Sequence, residues 1–229
     1  GKIRDNIEAA IKKGLEEIAI ADHGPASQSI KRFGVKDAAT LLEIKKEVEK
    51  YDRLYREIKV LTATEANIIS TAGELDIPRF ILDELDKVLA GFHLFIRPSN
   101  LQAARQIMFN NLVLNKLKIN QQQIKSINTD ILIKVLNNYQ IDIITHPGYQ
   151  VNIDTGKLAK VAADKGTALE INAKHGYLTE EFVRVAAKEG VRFCLGSDAH
   201  TPEQVGKVGS ALEIARNLGL TPEQIINVR

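Results

Sequence analysis

Six short apolar runs alternate with longer stretches of helical periodicity, and this alternation constrains the fold more than any other feature of the chain. The runs lie at 17–21, 58–64, 86–92, 141–145, 167–172 and 191–196. An opening helix is read from Ile3, Ile7, Ala10, Ile11 and Leu15, with Gly14 as its stop. Further helices are read over 38–57, 101–118, 128–139, 156–165, 179–189 and 210–218. Short strands separated by helices of this length imply parallel pairing, because a parallel neighbour is reached only by a crossover. Run 17–21 reads as a buried strand. Thr201-Pro202-Glu203-Gln204 and Thr221-Pro222-Glu223-Gln224 each read as a helix start with an N-cap Thr, proline at the first helical position and Gln placed for a capping box. The Asn-, Gln- and Lys-rich stretch 110–128 reads as a solvated excursion between two helices. No linker divides the 229 residues, so one domain over 1–229 is expected.

The polar residues at the ends of these runs carry the chemistry. His23, His93, His146 and His200 each stand at or just past the end of a run, Glu65 ends another, and Asp198 shares the last with His200. Strand ends lie side by side in a parallel sheet, so residues from five distant segments would meet at its C-terminal face. Each of these groups has a blander reading. Asp22-His23-Gly24-Pro25 and His146-Pro147-Gly148 also fit turns, and Glu65 fits a solvated carboxylate. Five coincidences together favour a site. Side chains two apart share one side of a strand. The residues beneath the polar groups are Ala21, Ala63, Gly91 and Gly196, with Ile144 under His146 as the exception. Small residues there predict a narrow lumen with room below the site. Imidazole and carboxylate without thiolate suit Zn, Mn or Fe in a catalytic setting. His175 lies past its run in a loop and is left outside the set.

Composition excludes several classes. A single Cys194 rules out an intrachain disulfide framework and a Cys-rich zinc module, and points to a reducing, cytoplasmic setting. A net charge of +2 lacks the basic excess of a chain built to neutralise phosphate backbones, so no obligate nucleic acid partner is expected. No run approaches the roughly 20 apolar residues of a membrane span.

The motifs AspHisGlyPro at 22–25, GluAlaAsn at 65–67, GlyPheHis at 91–93, ThrHisProGly at 145–148, GluIleAsn at 170–172 and GlySerAspAlaHis at 196–200 occur in order over nearly the whole chain. In this the chain resembles the PHP (polymerase and histidinol phosphatase) superfamily, above all its small phosphatase-like members. The resemblance implies a distorted (β/α)7 TIM-like barrel. It also implies up to three divalent metal ions at the C-terminal face and hydrolysis of a small phosphomonoester by a metal-activated water. Glu65 would bridge two ions, with His93 and His146 completing one set, Asp198 joining Glu65 on the other, and His23 with His200 on a third. The family pattern has a first strand with a His-x-His pair and a further His ahead of the opening helix, yet no His precedes His23. The expectation is therefore a barrel lacking its first strand, in a chain truncated at its N-terminus, with only the Glu65, His93, His146 set complete. Asp198 is a candidate proton shuttle, Arg97 and Lys174 are candidate phosphate clamps, and Glu170 and Asn172 are candidate groups for orienting ligands. A nuclease or phosphodiesterase, or a metal-poor binding module, are the alternative readings.

Overall fold

The computed structural model describes residues 2–27 and 33–228; Gly1, on which the reading of a truncated start falls, lies outside them. Helix α1 (Ile3–Lys12) buries Ile7 and Ala10. It is closed by Gly14 at φ +70°, where the turn returns the Leu15 N–H to the Ala10 carbonyl. Strand β1 (Glu17–His23) follows, then α2 (Thr40–Leu54) with Leu41 and Val48 buried two turns apart. After β2 (Lys59–Asn67), the one-turn α3 (Arg79–Leu82) and β3 (Lys87–Gly91) comes a short α4 (Leu101–Ala103) that runs into a π-helix over Ala104–Leu114. The remaining elements are α5 (Gln121–Asn138), β4 (Ile143–Ile144), α6 (Thr155–Lys165), β5 (Ala168–Asn172), α7 (Glu180–Ala187), β6 (Phe193–Gly196) and α8 (Gly209–Asn217).

The sheet has six parallel strands in strictly sequential order, β1 to β6. Each strand adds to the edge left by its predecessor, as in a barrel wall; a doubly wound sheet would reverse its order at a switch point. Register aligns the strand ends, with His23 opposite Glu65 and Asn67 opposite Gly91. The outer edge of β6 is covered by residues 225–227. The Ile226 N–H donates to the Phe193 carbonyl at 2.8 Å, and the Asn227 amide both accepts from Leu195 N–H and donates to its carbonyl, each at 2.9 Å. An asparagine side chain thus stands in for a strand backbone on an otherwise open edge. A main apolar core fills the space between β2–β6 and their helices, and a smaller one gathers Ile7, Ala10, Ile20, Val48, Ile58, Val60 and Val205. Among the described residues no helix is long and apolar enough to cross a membrane.

Four sequence expectations are corrected. Strand β1 is not buried on both faces: Ala19 and Ala21 are exposed while Ile20 is buried. Ile20 packs against Ile7, Ala10 and Val48 on the helix-facing side, and among the described residues the strand pairs only with β2. Strand β4 spans two residues, since the chain leaves extended geometry at His146, where φ is +30°. The stretch 110–128 is a helical hairpin, not a solvated excursion. Buried Asn111 and Asn128 exchange amide hydrogen bonds of 3.1 and 2.8 Å, and α5 begins seven residues earlier than its apolar period suggests. Polar residues on a buried face hide from a hydrophobic-periodicity reading. Finally, Thr201 and Thr221 each precede a three-residue 3-10 turn, and only Thr221 forms the capping box.

Candidate functional site

The register puts Glu65 at the centre of the C-terminal end. Glu65 Oε1 lies 3.1 Å from His146 Nε2 and 3.2 Å from His93 Nε2, and Oε2 lies 3.6 Å from His23 Nδ1. Thr145 Oγ1 donates to Oε1 at 2.7 Å. Burial raises the cost of the Glu65 charge, but the facing His146 and His93 imidazoles outweigh it and hold the carboxyl well below its ordinary range. The same pairing raises His146 against its burial, whereas burial lowers His23.

Backbone conformation and packing aim these groups. His146 and Asp198 both adopt left-handed φ, +30° and +47°, which non-glycine residues hold only where their surroundings enforce it. Glu170 does so for His146: its buried carboxylate accepts the His146 N–H at 2.7 Å and the Asn172 amide at 3.0 Å. Burial pushes the Glu170 carboxyl up. The room expected below the site is already occupied: at Gly91 a Cβ would stand 2.5 Å from His93 Cε1, 2.7 Å from Thr145 Oγ1 and 2.9 Å from Glu65 Oε1. At Gly196 the Glu170 carboxylate fills the space a side chain would need.

A second group adjoins the first. Asp198 Oδ2 lies 3.0 Å from His175 Nε2 and 3.5 Å from Lys174 Nζ, and Oδ1 lies 3.3 Å from His200 Nδ1. Lys174 Nζ also approaches His200 Nδ1 at 3.1 Å. Gln204 turns its side-chain oxygen to the His200 N–H at 2.7 Å, so the turn that Thr201 and Pro202 open also positions a site residue. His175, left out by the sequence reading, therefore belongs to the cluster. Asn172 Oδ1 accepts the backbone N–H of both Lys174 and His175, at 3.0 and 2.8 Å, and bends the chain back over the strand end. The signal was the asparagine itself, a turn-forming residue at the end of β5. Arg97 is exposed on the loop after β3, tied by its backbone N–H to the Ala26 carbonyl, and among the described residues no hydrogen bond or ion pair joins its side chain to the cluster.

The donor set can be tested for a cation without reference to relatives. Both ring nitrogens of His93 and Nδ1 of His23 are buried and lack a hydrogen-bond partner. His93 Nε2 approaches Glu65 Oε1 closely, yet is not aligned for a hydrogen bond. Buried polar atoms are almost always satisfied, and unpartnered imidazole nitrogens converging on a carboxylate suit a metal ion of borderline softness. Ligand atoms of His23, Glu65 and His93 lie within 4.8 Å of one another. That trio differs from the expected Glu65, His93, His146 set by placing His23 on the second oxygen of Glu65. The residues fit a divalent metal. A cavity of about 690 Å³ at the opposite end of the sheet is a separate feature: Asp86 and Asp142 in its wall are engaged with Thr62, Val88 and Lys87.

The family model described as PHP domain matches residues 1–197. The chain belongs to the PHP family. It is 30% identical to a probable phosphatase of Acetivibrio thermocellus, covering 98% of this chain and 83% of that one. It is 31% identical to a probable phosphatase of Thermoanaerobacter sp., with the same coverage. Among solved structures, histidinol phosphate phosphatase from Lactococcus lactis, complexed with zinc, L-histidinol and phosphate, matches with a TM-score of 0.64 and 15% identity over 96% of this PHP chain and 88% of that one. At that identity the match establishes the shared fold.

Proposed function

We propose that this PHP-family hydrolase removes phosphate from a small phosphomonoester, using divalent metal ions held by His23, Glu65, His93, His146, Asp198 and His200. The observation that carries the reading is His93, an imidazole whose two nitrogens are both buried and unsatisfied, facing a carboxylate held ionised. The family resemblance extends this to as many as three sites for Zn, Mn or Fe in one domain of TIM-like barrel form. Bound there, such ions would supply the Lewis acidity that activates water and offsets charge on the phosphoryl oxygens. The chain supplies the rest. Glu65 divides its two oxygens between His23 and the His93, His146 pair, the arrangement a bridging ligand needs. Glu170 fixes His146 through its backbone N–H, and Thr145 fixes Glu65. Lys174 Nζ, partly exposed beside Asp198 and His200, anchors the phosphate dianion. Asp198 Oδ2, between His175 and Lys174, is the atom placed to pass a proton.

Elemental analysis and hydrolysis of p-nitrophenyl phosphate test this together. Purified protein should hold at least one equivalent of transition metal, lose turnover on chelation and regain it on metal return. Glu65→Ala should lose both metal and activity, and turnover retained by the metal-poor variant would refute the assignment.

A further inference from the structure

The helical hairpin after β3 carries two registers of every fourth residue. Ala103, Ile107 and Asn111 face inward and are buried, and Asn111 is held there by Asn128. The register offset by two faces outward: Leu101, Arg105, Phe109, Val113 and Leu117 are all exposed. Leu101 is 86% and Leu117 63% exposed, and Ile119 continues the stripe beyond the π-helix. An amide is thus buried while leucines and a phenylalanine stand in solvent, the reverse of what hydration selects. Charge is equally one-sided. Six cations and no Asp or Glu fall within 87–129, so the rest of this +2 chain is net acidic. Arg105, Lys116 and Lys118 are exposed, and among the described residues no hydrogen bond or ion pair engages their side chains.

We infer that this face is a peripheral docking site for an anionic lipid surface. Leu101, Phe109, Val113, Leu117 and Ile119 enter the boundary between headgroups and acyl chains, and Arg105, Lys116 and Lys118 meet the headgroup charge. Exposed Leu and Phe set among Lys and Arg are the composition of helices that lie in a membrane interface. Long cationic side chains serve both layers there, because their stems stay in the apolar one while their heads reach water. Other occupants match the face less well. A second copy docked two-fold on it would set Arg105, Lys116 and Lys118 against themselves. Nucleic acid would take up the cations and leave the aliphatic side chains in water, since such interfaces are polar. An acidic protein would need a groove shaped to side chains that project from the hairpin, whereas acyl chains conform to them.

Vesicle binding by the whole chain tests the inference. The sequence holds no Trp, so Leu117→Trp places a single indole on the stripe. Its emission should shift to the blue on adding vesicles of phosphatidylglycerol with phosphatidylcholine. Unsubstituted protein should sediment with the same vesicles, less so as salt is raised, and not with phosphatidylcholine alone. Leu54→Trp, equally exposed at the end of α2, should show no shift. Lys116→Gln should weaken vesicle affinity about fivefold, the share of one cation near an anionic surface. Phe109→Ser should weaken it at least about tenfold. Both variants should melt within a few degrees of the parent, which separates lost docking from lost fold. No binding to the anionic vesicles, or equal binding to phosphatidylcholine alone, overturns the inference. So does a blue shift that grows with protein concentration in the absence of lipid, the mark of a contact between copies. A larger response to poly-glutamate or single-stranded DNA than to vesicles overturns it as well, in favour of an acidic protein or a nucleic acid.

Discussion

Gly91→Ala isolates the claim that the site is packed from below. The added methyl would point into the lumen at 2.5 Å from His93 Cε1, 2.7 Å from Thr145 Oγ1 and 2.9 Å from Glu65 Oε1, roughly 0.5–0.9 Å inside ordinary contact. His93 is packed between the His23 and His146 rings, and the other two neighbours are tethered by hydrogen bonds. Glu65 is held by Thr145 and His146, and Thr145 Oγ1 is within reach of the Ala90 carbonyl at 3.3 Å. Overpacking of this kind costs about 1–3 kcal/mol, or on the order of 2–4 °C of Tm per kcal/mol in a domain of this size. The chemical penalty is larger in proportion. Shifting Glu65 and His93 by the better part of an ångström should lower kcat/KM for p-nitrophenyl phosphate by on the order of a hundredfold, with reduced metal content. Gly209→Ala is the matched control: nothing stands within 4 Å of its Cβ at the start of α8, so activity should not change. Gly91→Ala protein with kcat/KM within about threefold of the parent would refute the reasoning, since these side chains would then not be where the alignment of β2 and β3 puts them.

Other expectations follow from single groups. In chelator-treated protein, Glu65→Gln should remove a stabilisation that depends on pH: the folded carboxyl sits below its unfolded value, so the benefit is complete above about pH 4.5 and disappears as pH falls through the folded value. Denaturant melts of both proteins between pH 3 and 7 check this, and a gap that widens toward low pH contradicts it. Asp76 accepts Ala26 N–H, Asn67 N–H and the Asn67 amide at 2.7–2.8 Å, tying the loop after His23 to β2. Asp76→Asn should cost about 2 kcal/mol by turning an amide donor toward these donors, read from the same melts. Burial pushes the Cys194 thiol up to about 12, so iodoacetamide at pH 8 should label folded protein on the order of a thousandfold more slowly than protein unfolded in urea.

The clustering of the candidate residues is more legible in the sequence than the scaffold around them, for physical reasons that differ by residue. His23, Glu65, His93 and His146 were legible because strand ends in a parallel sheet must lie together, and Gly91 because only a missing side chain makes room there. His175 was not legible: its place depends on a turn set by Asn172 Oδ1, and no periodicity encodes it. Lys174 reached the cluster by that same turn, while Arg97, chosen on equal grounds of charge and proximity in sequence, stands apart. The Asn111 and Asn128 pair was misread because amides that satisfy one another in the interior look, in a string of letters, like residues seeking water.

The tether between the two ends of the chain has a mechanical consequence. The Lys13 ammonium, at the end of α1, binds the carbonyls of Glu203 and Val205, and Val205 is buried beside Ile7 and Ala10. Gln204, lodged between those two anchors, carries the backbone of His200. Deleting residues 1–13 would therefore free Gln204 some 190 positions downstream, and the last imidazole of the cluster would keep only its side-chain contacts to Asp198 and Lys174.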